Sequence, residues 1–219
     1  MEGSVSSILE DINDRQEGLI PDFTEHTALI AGLGGIGNWI AIDLALLGVG
    51  TIILYDDDAI EVSNLNRTLF KLNQIGKLKV IAVKELISER RKDTIVITFQ
   101  EKFSVDYLSK FEGLDYLFDC TDTSRLKDSI RDYKMNVKNT KIPKFVKVGY
   151  DSFEGTISLN DFESGKWGED NSYTITPSFF GTPQVLSALA VIEMLLVKKS
   201  SITTLNLNVK TILDELSER

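Results

Sequence analysis

Four glycines in a six-residue segment, Gly32-Leu33-Gly34-Gly35-Ile36-Gly37, are the residues of this sequence with the clearest chemical meaning. They follow a short apolar run at 28–31 and precede a segment with an apolar helical stripe. Glycines in this place allow a tight turn and let backbone amides approach a phosphate at the start of a helix. Asp56 lies 19 positions after Gly37, at the end of a second apolar run, where a carboxylate can bind a nucleotide ribose. Together they predict a nucleotide site, with NAD, FAD and ATP all possible.

A second group of candidates lies between residues 56 and 80, where the chain combines acids, amides and cations. Arg67 can bind phosphate oxygens through two N–H groups, and Lys79, with Lys77 as its competitor, can add a point charge. An enzyme that handles a triphosphate needs such a set, whereas a nicotinamide or flavin enzyme does not. The segment therefore favours ATP, and a NAD- or FAD-dependent oxidoreductase remains a remote alternative. The candidates in this stretch are Asp58, Asn64, Asn66, Arg67 and Lys79.

A third group, Asp119-Cys120-Thr121-Asp122, follows another predicted strand. Ligands of open α/β sheets bind at the carboxyl ends of the strands, so these side chains can share a ligand with the glycine loop. A carboxylate in that place can hold Mg²⁺, which bridges phosphate oxygens. Asp122 is at the loop tip and is the better metal candidate, whereas we interpret Asp119 as structural and Cys120 as a packing residue.

Composition excludes several other functions. The 219 residues include 33 acidic and 24 basic side chains, a net charge of −9, which argues against a protein that coats nucleic acid. One cysteine and one histidine exclude an internal disulfide, a cysteine-rich zinc site and a CxxC redox pair. No apolar run reaches the ~18 residues that cross a bilayer, and the N-terminus does not resemble a signal peptide. We therefore expect a cytoplasmic protein that binds neither nucleic acid nor membrane and holds no zinc.

The elements that must position these residues alternate between short apolar runs and helical patterns. From residue 27 to about residue 149, this alternation predicts an α/β fold: a Rossmann-like, doubly wound, mostly parallel sheet with helices on both faces. The pattern changes afterwards, and an alternating, half-exposed run at 155–159 predicts a partly antiparallel C-terminal part. The predicted organisation is an N-terminal helical segment at 1–26 and a single nucleotide-binding domain at 27–219.

The combined motifs resemble the ubiquitin-activating-enzyme-like superfamily. It comprises the adenylylating proteins of thiamin and molybdopterin biosynthesis and the adenylylation domains of ubiquitin-type activating enzymes. The resemblance runs from about residue 27 to the C-terminus. Its matching pieces are GLGGIG at 32–37, D-x-D at 56–58, SNLNR at 63–67, GKLKV at 76–80, DCTD at 119–122 and F-x-G at 153–155.

This resemblance implies the Mg²⁺-dependent attack of a substrate carboxylate on the α-phosphate of ATP, which yields an acyl-adenylate and pyrophosphate. It implies that Asp56 holds the ribose, that Asn64 and Arg67 contact phosphates, that Lys79 contacts the phosphate chain and that Asp122 binds Mg²⁺. The family also implies a homodimer in which an arginine near the N-terminus reaches the partner subunit's ATP. Arg15 stands in that neighbourhood, although its spacing to the glycine loop is shorter than usual.

The resemblance also suggests classes of substrate. Among small relatives without the family's zinc-binding CxxC pairs, the chain resembles the adenylylating enzymes of iron-guanylylpyridinol cofactor biosynthesis, so a small-molecule carboxylate, guanylylpyridinol, is favoured. The alternative substrate is the C-terminal glycine of a ubiquitin-like sulfur-carrier protein. A non-catalytic nucleotide-binding subunit is a third possibility, and it is disfavoured because the arginine, lysine and aspartate positions are all filled.

Overall fold

A computed structural model describes residues 12, 16–136, 142–160, 177–197 and 203–217 of the chain. These residues form a seven-stranded sheet in the order β3-β2-β1-β4-β5-β6-β7. The strands are β1 (Thr27–Ala31), β2 (Thr51–Tyr55), β3 (Ile95–Phe99), β4 (Tyr116–Asp119), β5 (Lys144–Asp151), β6 (Glu154–Leu159) and β7 (Thr204–Asn208).

The first five strands are parallel, and β6 and β7 are antiparallel to their neighbours. The predicted mostly parallel sheet with an antiparallel C-terminal part is therefore confirmed. The strand order reverses at β1, because β2 lies on one side of it and β4 on the other. Such a reversal opens a crevice at the carboxyl ends of the strands, which is where ligands of this architecture bind.

Five helices accompany the sheet in the described residues. They are α1 (Gly37–Leu46), α2 (Lys79–Ser88), α3 (Arg125–Asn136), α4 (Gly181–Val191) and α5 (Val209–Ser217). Short 3-10 turns occur at Val62–Asn64, Leu72–Gln74 and Val105–Lys110. Helices α1, α2 and α4 cover one face of the sheet, and α3 with the 105–110 turn covers the other.

Each central strand contributes to two cores because its side chains alternate between the faces. In β1, Ala28 and Ile30 enter the core under α1, whereas Leu29 and Ala31 enter the core under α3. All four are buried, which explains why β1 is continuously apolar in sequence. The two cores hold the carboxyl ends of β1, β2 and β4 in place beneath the candidate site.

The structure differs from the sequence predictions mainly near the C-terminus. The apolar pattern of residues 183–198 predicts one helix. In the structure α4 begins at Gly181 and ends at Val191, and a π-helical turn follows at Ile192–Leu196. The pattern of residues 202–209 predicts a final strand with no helix after it, yet α5 follows β7. The N-terminal helical segment falls largely outside the described residues, so it stays a prediction. No helix in the described ranges is long and apolar enough to cross a membrane.

Candidate nucleotide-binding site

The glycine loop connects β1 to α1 at the crevice. The N–H of Gly32 donates to the Tyr55 carbonyl at 2.8 Å, and its φ of +88° suits glycine. A Cβ on Gly32 would lie 2.9 Å from the Cys120 carbonyl oxygen, and a Cβ on Gly37 would overlap the Gly32 carbonyl oxygen. These two glycines therefore make the turn compact. Gly34 differs, because a Cβ there would meet open space, which leaves room for a ligand against the loop.

Gly35 packs against a side chain from the far side of the crevice. A Cβ at this position would overlap the ring and hydroxyl of Tyr150, which lies near the end of β5. The Tyr150 hydroxyl is also 3.2 Å from Ser178 Oγ. Gly35 therefore lets the loop and the tyrosine approach each other, a role that the sequence pattern does not reveal.

Asp56 joins the glycine loop to the end of β2. Its Oδ2 accepts a hydrogen bond from the Leu33 N–H at 2.6 Å, and its Oδ1 accepts one from the Asp58 N–H at 2.8 Å. Burial raises the pKa of the Asp56 carboxyl, and the nearby Lys79 and the two backbone amides oppose that shift. The carboxylate is thus held at the loop in a fixed orientation, as a ribose-binding acid requires.

Lys79 begins α2 and faces the same acid. Its Nζ lies 2.6 Å from Asp58 Oδ2 and 3.7 Å from Asp56 Oδ1, and its side chain is 8% exposed. Lys77 instead pairs with Glu85 at 2.8 Å on the surface. Both lysines are candidates by sequence, and the structure brings Lys79 to the site and leaves Lys77 outside it.

The segment that carries the predicted phosphate contacts is held together by its own polar groups. Asn64 Oδ1 accepts from the Glu61 N–H at 3.0 Å and closes a 3-10 turn. The guanidinium of Arg67 donates to the Ser63 carbonyl and to Asn66 Oδ1. The hydrogen bonds described for the Arg67 guanidinium therefore stay within its own segment, and its link to the phosphates remains a prediction.

Two residues at the start of α1 attach that segment to the glycine loop, and the sequence analysis missed both. The buried Asn38 donates from Nδ2 to the Gly34 and Gly35 carbonyls and accepts from the Leu69 N–H at 3.0 Å. The indole N–H of Trp39 donates to the Arg67 carbonyl at 3.0 Å. A polar residue directly after a glycine loop, at a position expected to be buried, is the signal that could have identified Asn38.

The end of β4 places Asp119 and Asp122 in different environments. Asp119 is fully buried, whereas Asp122 is exposed at the following turn. Lys147 of β5 pairs with Asp119 at 3.1 Å and has a side chain that is 4% exposed. The sequence motifs do not point to Lys147, although a lysine inside the apolar run at 145–148 is unusual enough to be noticed.

Cys120 lies under the glycine loop and packs against the core below α1. Burial, with a smaller contribution from the charge of Asp119, raises the pKa of the thiol far above its usual range. A thiolate is the reactive form of cysteine, so the structure disfavours nucleophilic chemistry at this position and agrees with a packing role.

The donor set suits Mg²⁺ with a nucleotide. In the described ranges, the acidic side chains whose oxygens lie within 4.8 Å of one another are Asp56, Asp57 and Asp58, beside the open side of the glycine loop. Asp122 offers a further exposed carboxylate after β4. Oxygen ligands of this kind are those that Mg²⁺ prefers. Arg15 lies outside the described residues, and its predicted role stays a prediction.

Comparison with known proteins identifies relatives of this chain and of its fold. The chain is 39% identical over 106 residues to the adenylyltransferase and sulfurtransferase uba4 of Aspergillus niger, covering 48% of this chain and 22% of that protein. It is 35% identical over 100 residues to the tRNA threonylcarbamoyladenosine dehydratase of Bacillus subtilis, covering 44% and 39%. The chain thus spans well under half the length of these curated relatives.

Solved structures share the fold. The crystal structure of PaaA has a TM-score of 0.70 at 21% identity, over 96% of this chain and 73% of that one. That of Escherichia coli MccB with ATP has a TM-score of 0.65 at 22% identity, over 84% and 57%. The ThiF family pattern matches residues 12–166, which include the glycine loop, Asp56, Lys79 and the turn after β4. The chain therefore belongs to the ThiF family.

Proposed function

We propose that this chain transfers the adenylyl group of ATP to a substrate carboxylate. A carboxylate oxygen attacks the α-phosphorus, the bond from that phosphorus to the bridging oxygen of the β-phosphate breaks, and pyrophosphate leaves with the electron pair. The products are an acyl-adenylate and pyrophosphate. A carboxylate is already ionised at neutral pH, so the reaction needs no general base. Positioning and charge stabilisation then provide most of the rate acceleration.

The observation that carries the proposal is the direct connection between the glycine loop, Asp56 and Lys79. The 2.6 Å hydrogen bond from the Leu33 N–H to Asp56 couples the ribose-binding acid to the loop. Lys79 lies within 3.7 Å of the same acid. A nucleotide whose ribose reaches Asp56 would bring its phosphates along the open side of Gly34 and towards this ammonium group. A dinucleotide oxidoreductase has no need for a lysine in that place.

The remaining candidates support the reaction as follows. Asn64 and Arg67 would contact the phosphates once the 61–67 segment turns its donors to the ligand. Asp122 would hold Mg²⁺, which when bound neutralises charge on the phosphate oxygens. Arg15 would reach the ATP of the partner subunit in a homodimer.

Two substrate classes follow from different observations. Guanylylpyridinol rests on the family resemblance of a small chain without CxxC pairs. The carboxyl terminus of a ubiquitin-like carrier protein has support from relatives named as ubiquitin-like modifier-activating enzyme 5, for example that of Arabidopsis thaliana. Both classes present a carboxylate to the same site, so the chemistry at the α-phosphate is common to them.

The test is substrate-dependent exchange of labelled pyrophosphate into ATP in the presence of Mg²⁺. Guanylylpyridinol and ubiquitin-like carrier proteins are supplied in separate reactions. Exchange with guanylylpyridinol would support the small-molecule substrate. Exchange with a carrier protein alone would instead support the activation of ubiquitin-like carrier proteins. Absence of exchange with both classes, despite measurable ATP binding, would contradict adenylylation of these substrates.

The Asp122→Ala variant tests the metal assignment within this function. We expect exchange to fall at least 100-fold while ATP affinity, measured by calorimetry, changes less than threefold. Asp128→Ala is the matched control, because Asp128 lies in the first turn of α3 and pairs with Arg131 at the surface. Retained exchange in Asp122→Ala would show that another group holds the metal.

A further inference from the structure

The buried lysine of β5 makes more contacts than an ion pair requires. Lys147 Nζ lies 3.1 Å from Asp119 Oδ1, 3.2 Å from Thr121 Oγ1 and 2.9 Å from the Thr123 carbonyl oxygen, and it also donates to the Thr121 carbonyl. Three of these four acceptors belong to residues 121 and 123. They flank Asp122 on both sides.

Asp119 holds the same segment from below. Its Oδ1 accepts hydrogen bonds from the Thr121 N–H at 3.0 Å and from the Thr121 hydroxyl at 2.7 Å. Asp119 and Lys147 are register partners on the neighbouring strands β4 and β5. The two strands therefore present one carboxylate and one ammonium group to the turn that carries Asp122.

Stability alone does not account for such an arrangement. Removing a lysine and an aspartate from water is costly, and apolar residues of similar volume often stabilise a fold equally well. Here both side chains are buried, at 4% and 0% exposure. The ammonium group directs most of its hydrogen bonds to the turn rather than to its ionic partner. A group that is expensive to bury and that contacts a functional loop is suited to fixing the conformation of that loop.

We propose that Lys147 is a positioning residue that holds the 121–123 turn so that Asp122 presents its carboxylate to the metal–nucleotide complex. This inference rests on the proposed function. Lys147 lies outside the motifs that carry the family resemblance. Lys147 acts through the turn and does not touch the substrate. Its loss should therefore affect the metal requirement more than nucleotide binding.

Comparison of a double variant with a single variant separates the positioning role of Lys147 from simple charge compensation. Lys147→Met alone leaves Asp119 buried without its cation, which can unfold the protein. The double variant Lys147→Met/Asp119→Asn removes both charges and the carbonyl contacts. The single variant Asp119→Asn removes one charge but keeps the lysine contacts to residues 121 and 123. Lys144→Met is the matched control, because Lys144 is the first residue of the same strand and is exposed.

The first readout needs neither substrate nor metal. Hydrogen–deuterium exchange of the unliganded protein should show at least tenfold faster exchange at residues 121–124 in the double variant, with the β1 and β4 amides unchanged. Lys144→Met should exchange like wild type in that turn. Asp119→Asn leaves the charge of Lys147 unpaired but keeps its contacts to residues 121 and 123, so the turn should exchange more slowly in this variant than in the double variant. Unchanged exchange in a folded double variant would overturn the proposal.

The second readout is the Mg²⁺ dependence of nucleotide binding and of pyrophosphate exchange. In the double variant we expect the Mg²⁺ concentration for half-maximal exchange to rise at least tenfold. ATP affinity without Mg²⁺ should stay within twofold of wild type. An unchanged Mg²⁺ requirement would overturn the proposal. If wild type itself shows no pyrophosphate exchange, the proposed function fails, whereas the hydrogen-exchange result still decides whether Lys147 holds the turn.

Discussion

Two lysine–aspartate groups lie at the carboxyl ends of strands on either side of β1, and they differ in their access to solvent. Lys79 pairs with Asp56 and Asp58 after β2, and the Asp58 side chain is 63% exposed. Lys147 pairs with Asp119, the last residue of β4, and that pair is almost completely buried. Both groups place one positive charge near the crevice of a protein with a net charge of −9.

The difference indicates what each lysine can do. Asp58 can move into water at small cost, so Lys79 is able to exchange a carboxylate partner for a phosphate. Lys147 has hydrogen-bond acceptors on several sides and cannot leave them without leaving the buried Asp119 without its counter-ion. An ion pair with a solvent-exposed partner, which we call open, suits ligand binding. A fully buried ion pair, which we call closed, suits the support of a loop. The predictions below test this distinction, beginning with the largest expected effect.

Removal of the aspartate from each group should have very different effects on stability. We expect Asp119→Ala to lower the free energy of unfolding by about 3–5 kcal/mol, because Lys147 would remain buried without its partner. Asp58→Ala should cost about 1 kcal/mol or less, because Lys79 keeps Asp56 nearby. Urea unfolding of both variants measures the difference. Equal losses would contradict the distinction between a closed and an open pair.

Replacement of the lysine in the open group should affect catalysis. Lys79→Met should reduce pyrophosphate exchange about 100-fold, equivalent to about 2.7 kcal/mol, since the phosphates lose a cation. The control Lys77→Met removes a neighbouring lysine that pairs with Glu85 on the surface, and we expect its exchange rate to stay within twofold of wild type. Similar losses in both variants would mean that the site does not distinguish the two lysines.

Asp43 of α1 is a third carboxylate for comparison, and burial shifts its pKa. Its described hydrogen-bond partners include no lysine. Burial raises the pKa of Asp43 to about 6, and a hydrogen bond with Ser187 of α4 partly opposes the shift. Because this pKa lies above the ordinary value of 3.8, the folded protein binds a proton more tightly than the unfolded chain. Stability should therefore fall as the pH rises from about 4 to 6.

The variant Asp43→Asn should remove the loss of stability that accompanies the rise in pH. We expect it to raise the free energy of unfolding by about 1–3 kcal/mol at pH 8 and by little at pH 4. Urea unfolding of wild type and variant at pH 4, 6 and 8 measures this dependence. The same difference at all three pH values would show that the effect does not come from the charge of Asp43.

Cys120 follows Asp119 in the chain and should have the smallest effect. Its partly buried side chain packs below the glycine loop, so Cys120→Ala should change pyrophosphate exchange less than twofold. The cavity should cost about 1 kcal/mol in unfolding free energy. A loss of exchange greater than tenfold with an intact fold would instead indicate a chemical role for the thiol.

Much of the fold could be predicted because its signals are local. A buried parallel strand is a continuous apolar run, and a glycine loop between such a strand and a helix is typical of a nucleotide site. Helix α5 was missed because the prediction ended at the last strand. The contacts of Asn38 were missed because its partners, Gly34 and Leu69, are four and 31 positions away. Such pairings depend on how distant segments pack.

The sequence by itself determined the α/β class, the order of the elements as far as β7, and the candidate residues of the glycine loop and Asp56. These features follow from hydrophobic periodicity and from motifs whose residues are close together along the chain. The tertiary structure decided which of Lys77 and Lys79 faces the acid, and it brought Lys147 beneath the turn of Asp122. The reason is that these contacts join different strands and helices, and only the register of β4 with β5 and the packing of α2 bring their atoms within hydrogen-bonding distance.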